Sequence, residues 1–155
     1  MAIGNVAFHP AFGTTYEPVL TGPKGASEAW ATGAQLIVTA NLLLEAGSDP
    51  AALTIAGIAA QATTTAAASG TMIQYYPNFE GALFVGTMNV AAGGFVLLLD
   101  DFLKDFGTLV DADGIHYINH ADTTAPSVRI MGFVDPVGTA NAKVIFTYLT
   151  GPHKI

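Results

Sequence analysis

The chain has 155 residues, of which 51% are hydrophobic and only 11% charged, with a net charge of −7 and no cysteine. One domain accounts for that length, the hydrophobic content excludes intrinsic disorder, and the acidic balance with a single arginine, Arg129, argues against nucleic-acid binding. Without cysteine, disulfides, thiolate metal sites and a cysteine nucleophile are excluded, and so few charges predict a surface shared with a partner.

No secretory signal is expected, because Met1-Ala2-Ile3-Gly4-Asn5 lacks a basic start and His9-Pro10 precedes any useful apolar run. Residues 1–25 carry Pro10, Pro18 and Pro23 with Gly4, Gly13, Gly22 and Gly25 and have neither a helical nor an alternating period, which predicts an extended N-terminal arm. Phe8, Phe12, Tyr16, Val19 and Leu20 make the arm apolar. It is expected either to fold over its own barrel or to reach a neighbouring subunit, and a chain lacking it is expected to fold. Residues 26–155 are expected to form a single β domain.

Gln35 to Ala40 reads as a strand, and Leu42-Leu43-Leu44 continues towards the turn Gly47-Ser48-Asp49-Pro50. Leu53, Ile55, Gly57 and Ala59 alternate with Thr54, Ala56, Ile58 and Ala60, a period of two with both faces apolar. An alanine-rich helix from Pro50 to Ala68 is the competing reading. Gly57, Thr63-Thr64-Thr65 and the lack of i,i+4 charge pairs count against it. Further strands are predicted at Thr71 to Tyr76, Ala82 to Asn89 and Phe95 to Leu99. The stretches between Asp49, Glu80 and Asp100 carry no charge, but polar and glycine interruptions leave no run of about 20 apolar residues, so no membrane span is expected.

Asp100 to Gly107 reads as one or two helical turns with an aspartate cap and a glycine stop. Thr108-Leu109-Val110 and Ile115 to Ile118 flank Asp111-Ala112-Asp113-Gly114 and predict a hairpin. Val128 to Val134 and Val144 to Leu149 complete the set. Many short strands with turn signals between them and one short helix imply an all-β fold, a small β-barrel or β-sandwich with an extended N-terminal arm. No internal repeat is visible in the sequence.

Candidate chemistry is sparse. His116 and His120 have the spacing of a helical zinc pair, but on a strand at about 3.3 Å per residue their Cα atoms would lie roughly 13 Å apart; two surface histidines near a strand end are expected instead. Asp100, Asp101, Asp105, Asp111 and Asp113 do not fit a calcium loop, since position six from Asp111 is His116 and position twelve is Asp122. Caps and turns account for them. None of Ser27, Ser48, Ser69 and Ser127 sits in a Gly-x-Ser-x-Gly elbow, and no phosphate loop is present. Leu109 to Gly114 resembles faintly the hairpin motif of trimeric all-β dUTP diphosphatases, whose arginine- and serine-bearing phosphate segment is missing here. No catalytic residue, cofactor or metal is expected.

A second likeness is broader. Asp111 to Ile118, Ala121-Asp122-Thr123-Thr124, and Val128 to Phe146, together with Leu53 to Ala59, resemble the head decoration or cement proteins of tailed bacteriophages across roughly residues 34–149. The resemblance implies a non-enzymatic β body on the outer face of a capsid, made in the host cytoplasm. It implies homotrimers at local three-fold positions, with an arm or loop clamping adjacent major capsid proteins. Neither nucleic acid nor membrane is implied as a partner. For that role the aromatic residues Phe8, Phe12, Tyr16, Trp30, Tyr75, Tyr76, Phe79 and Phe84 are the candidate contact residues, with core packing the competing role for Trp30 and Phe84. Tyr75 and Tyr76 cannot face one core from a single strand, so one of them is expected to be exposed or at an interface. The alternative function is a receptor- or glycan-binding β-domain of a phage tail or spike, suggested by Trp30 and Tyr75-Tyr76.

Overall fold

The computed structural model describes residues 5–11 and 19–153. Within them run β1 (His9–Pro10), β2 (Leu20–Pro23), β3 (Gln35–Thr39), β4 (Leu42–Glu45), β5 (Ile55–Ala59), β6 (Met72–Pro77), β7 (Phe84–Asn89), β8 (Asp105–Val110), β9 (His116–Asn119), β10 (Val128–Phe133) and β11 (Lys143–Tyr148). Helical structure amounts to two short 3-10 turns, Ala52–Thr54 and Leu99–Asp101, so the fold is all-β. Among the described residues no helix is long and apolar enough to cross a membrane.

The strands form two sheets. In one, β7, β11, β10, β8 and β9 pair in that order, and β9 returns to β7 in parallel, with Met88 opposite Ile118. This return closes a five-stranded barrel. In the other, the order is β2, β6, β5, β3, β4, and the edge strands meet at a parallel bridge between Lys24 and Leu43. Replacing β2 to β6 by β7 to β11 in turn converts one strand order into the other, parallel closure included. The repeat that the sequence does not show is present in the fold.

Two apolar clusters explain why these segments become strands. Trp30, Leu36, Leu43, Ala56, Ala59, Ile73 and Tyr75 fill the first sheet, while Phe84, Met88, Phe106, Ile118, Ile130, Val144 and Phe146 belong to the barrel's cluster. Strand β5 serves both, since Ala56 and Ala59 lie in the first cluster and Ile55 and Ile58 in the second. The assignment departs from strict alternation, since Ile55 shares its cluster with Ile58 and Ala56 with Ala59, and the β3–β5 register shifts between Leu36 and Ile37; apolar residues throughout the strand are what burial on both faces requires. Polar side chains bridge the two sheets: Gln35 Nε2 donates to Thr108 Oγ1 at 2.9 Å, and Tyr148 OH donates to Gln35 Oε1 at 2.9 Å.

Three expectations are sharpened or changed. Of the two readings of residues 1–25, the described part follows the one in which the segment folds onto its own body, and it does so as paired strands. His9 and Pro10 pair with Val85 and Phe84, and β2 pairs with β6 along its length, because two- and four-residue strands beside prolines leave no periodic signal. The helix expected at Asp100 to Gly107 is a single 3-10 turn. From Asp105 the chain is drawn into a ladder with β10, Asp105 opposite Arg129 and Phe106 opposite Val128, and tertiary pairing overrides the local cap. Phe95 to Leu99 forms no strand; it is held by the Val96–Ala140 bridge and by Leu97 N–H donating to Thr139 O at 3.0 Å.

Candidate functional site

Most of the candidate contact aromatics are used internally. Phe8 is buried against Phe146, with ring centroids 4.8 Å apart, and Phe84 is fully buried beside it. Trp30 is buried and donates its indole N–H to Gln61 O at 3.0 Å. Tyr75 and Tyr76 point to opposite faces of β6, as alternation requires, but Tyr75 lies in the first cluster and Tyr76 packs half-buried against the second. On the Tyr76 face Met72 and Gln74 are exposed and Tyr76 itself is half-buried against the second cluster, so neither tyrosine is fully exposed. Phe79 is 36% exposed and meets the His153 ring edge-on. Phe12 and Tyr16 lie outside the described residues.

The histidines are likewise separate. His116 is buried rather than superficial and contacts Glu45 Oε1 at 3.3 Å, whereas His120 contacts Asp101 Oδ1 at 2.9 Å. Among the described residues no group of three or more His, Asp or Glu is placed to hold a metal ion. Turn formation does explain Asp111: burial pushes its carboxyl up, but hydrogen bonds from Ile115 N–H, Asn5 Nδ2 and Asp113 N–H outweigh this and hold it below the usual range.

Exposed apolar residues gather elsewhere, on the outer wall of the barrel. Leu98, Leu99, Phe102 and Leu103 are 49%, 72%, 51% and 52% exposed, and Met131 of β10 adds another. Leu103 N–H donates to Ile130 O at 2.9 Å, which lays this segment against β10, and the Phe102 ring meets Phe133 edge-on at 6.2 Å. Below it a groove of about 780 Å³ is lined by Leu53, Leu83, Leu103, Met131 and Leu149, with Arg129 and Glu80 also on its walls. Arg129 is engaged by Asp105 through two hydrogen bonds of 2.7 and 2.8 Å, so its charge is already matched.

A brace holds the wall in place. Asp101 is 1% exposed; its Oδ2 accepts Leu98 N–H at 2.9 Å and its Oδ1 faces His120, whose ring stacks between Phe95 and Phe106. Capping, the role the sequence predicts for Asp101, is met by its bond to Leu98 N–H, but the sequence does not predict the wall. The signal lies in Leu98-Leu99 and Phe102-Leu103, adjacent apolar pairs around the 3-10 turn, a segment that lacks the second core that lets β5 bury both of its faces.

These features define a small all-β protein with two topologically equivalent sheets and an apolar outer wall. The chain matches no protein-family model, and no curated protein matches it.

Proposed function

We propose that the protein is a non-enzymatic virion structural protein that decorates a bacteriophage capsid and stabilises it by binding across adjacent major capsid proteins. The observation that carries this reading is the apolar wall of Leu98, Leu99, Phe102, Leu103 and Met131 on a braced β scaffold. Exposed apolar side chains gathered in this way mark an interaction face, and the exposed Asp100 and Lys104 among them supply polar contacts at its rim. The decoration-protein resemblance of residues 34–149 supports the choice of partner. A homotrimer at local three-fold positions would present three such walls to the shell.

Binding to purified phage capsids tests the reading. Leu99→Asp and Phe102→Asp place carboxylates on exposed positions and leave the core untouched. Both are expected to lower capsid occupancy at least about tenfold while the melting temperature stays near that of the parent. Full occupancy by both variants, or no binding of the parent protein, would overturn the proposal.

A further inference from the structure

The two sheets agree beyond strand order. Leu20 and Gly22 pair with Tyr75 and Ile73 as Phe84 and Gly86 pair with Phe146 and Val144. Ala59 lies opposite Tyr75 as Ile130 lies opposite Phe146, and Leu36 lies opposite Gly57 as Phe106 lies opposite Val128. Val38 meets Leu43 as Thr108 meets Ile118, and the rings close through Lys24–Leu43 and Met88–Ile118. A single set of equivalences therefore satisfies all five ladders. It extends to the loops: Gly33 N–H donates to Ala59 O, and Leu103 N–H to Ile130 O, each at 2.9 Å and each with a positive φ at the donor.

The equivalence exposes one difference. In the barrel, the free edge of β7 is covered by β1, with His9 opposite Val85. Phe8 plugs the seam there, so close that a Cβ on Gly86 would lie 2.5 Å from its ring. The matching edge is Thr21 of β2. Lys24 N–H turns to Thr71 O on the β6 side, and Gly25 N–H turns to Leu43 O on the β4 side. Alternation then aims the Thr21 N–H and C=O towards the β4 side, where no strand among the described residues pairs with them. Pro23, the next residue facing that way, has no N–H to leave unpaired.

Beside this edge lies a groove of about 320 Å³, lined by Thr21, Val38, Leu42, Tyr75 and His153 among others, with no Asp, Glu, Lys or Arg in its lining. Leu43 leans over Gly22 and fills the inner end, within 2.7 Å of where a Cβ would stand, while the mouth stays open.

We propose that the groove beside Thr21 is a strand-docking site for an extended, uncharged segment of a partner protein carrying an aromatic residue two positions before a proline. Such a segment would sit as Phe8-His9-Pro10 sits on β7, main chain on Thr21 and ring in the groove. The occupant is assigned to a different protein: of the three segments of this chain with an aromatic residue two positions before a proline, Phe8-His9-Pro10 and Tyr75-Tyr76-Pro77 have their leading aromatic buried in the body, and Tyr16-Glu17-Pro18 carries a carboxylate for which the groove lining offers no cationic partner. The inference does not depend on the capsid reading.

The probe is a synthetic peptide of residues Asn5 to Ala11, titrated into the isotope-labelled full-length protein and followed by amide NMR shifts. Saturable shifts at Thr21, Val38 and Leu42 are expected. They should vanish with the Phe8→Ala peptide, and binding should weaken at least about tenfold in the protein variant Leu42→Asp. Val38→Trp fills the groove without a charge and serves as the second variant where Leu42→Asp fails to fold. No binding at millimolar peptide, shifts confined to Val85 and Gly86, or undiminished binding by the variants would overturn the proposal. So would self-association of the parent protein that Leu42→Asp abolishes, since that would assign the groove to a second copy.

Discussion

Phe8→Ala separates an integral N-terminal segment from a dispensable one. The ring is 2% exposed, packs 4.8 Å from the Phe146 ring, and fills the seam over Gly86. Removing a buried phenylalanine forfeits its transfer energy and leaves a cavity, at a cost of about 3–5 kcal/mol. That is a large share of the roughly 5–15 kcal/mol available to a domain. At about 2–4 °C per kcal/mol for a chain of this size, the melting temperature should fall by roughly 6–20 °C. Urea denaturation of both proteins, with equal slopes, measures the difference directly. Phe79→Ala, at a position 36% exposed, is the control and should cost under about 1 kcal/mol. A loss below about 1 kcal/mol for Phe8→Ala would refute the placement of the segment in the barrel core.

Deletion of residues 1–25 removes β1, β2 and the Lys24–Leu43 closure together, so the truncated chain should lack a cooperative unfolding transition; a native-like transition would contradict the two-ring fold. His153 is held below its usual 6.5 by burial beside Tyr75 and Phe79. Its neutral form is the one the fold favours, so its contribution is present above pH 6.5 and is lost as pH falls through the depressed value. His153→Gln should flatten the stability profile between pH 7 and pH 5, and an unchanged profile would count against the contact. Asp49 is pushed up by burial and then by its hydrogen bond and charge repulsion with Asp122, which is itself held low by backbone donors against the opposing effect of burial. The raised Asp49 contributes stability in acid that disappears as pH rises through its folded value, whereas Asp122 contributes above its ordinary 3.8 and loses that contribution in acid. Asp49→Asn keeps a donor towards Asp122 without the second charge, and should be more stable at pH 7 by a few tenths of a kcal/mol; destabilisation there would show the repulsion to be absent. Asp101→Ala leaves Leu98 N–H and His120 without their acceptor and should cost about 1–3 kcal/mol, with NMR shifts concentrated in residues 96–103; an unperturbed segment would show that the brace is dispensable.

That β5 is a strand apolar on both faces, and the hairpin around Asp111 to Gly114, could be read from sequence, because the signals are local: an unbroken apolar run in one case and turn chemistry in the other; the register shift that puts Ile58 in the cluster of Ile55 leaves no such signal. Nor could the duplication be read. Its equivalent positions hold Leu20 and Phe84, Lys24 and Met88, Ala59 and Ile130, so the two rings share register and enclosed space with almost no side-chain identity, Gly22 and Gly86 excepted. Lys24 is the clearest case. It is fully buried where the barrel has Met88, with its Nζ donating to Ala67 O at 2.9 Å, and no composition rule anticipates a lysine inside an apolar ring. The apolar wall is not legible from aromatic content, because its exposed side chains are mainly leucine. Aromatics of this chain are worth more inside, where Phe84, Phe146 and Tyr148 pack edge to face.

The most direct measurement is a cryo-electron microscopy reconstruction of phage particles with and without this protein. The account predicts added density on the outer capsid surface into which the two-ring fold fits, with Leu99, Phe102 and Met131 turned to the shell. Particles whose shells are identical in the two reconstructions, or density that turns this wall to solvent, would contradict it.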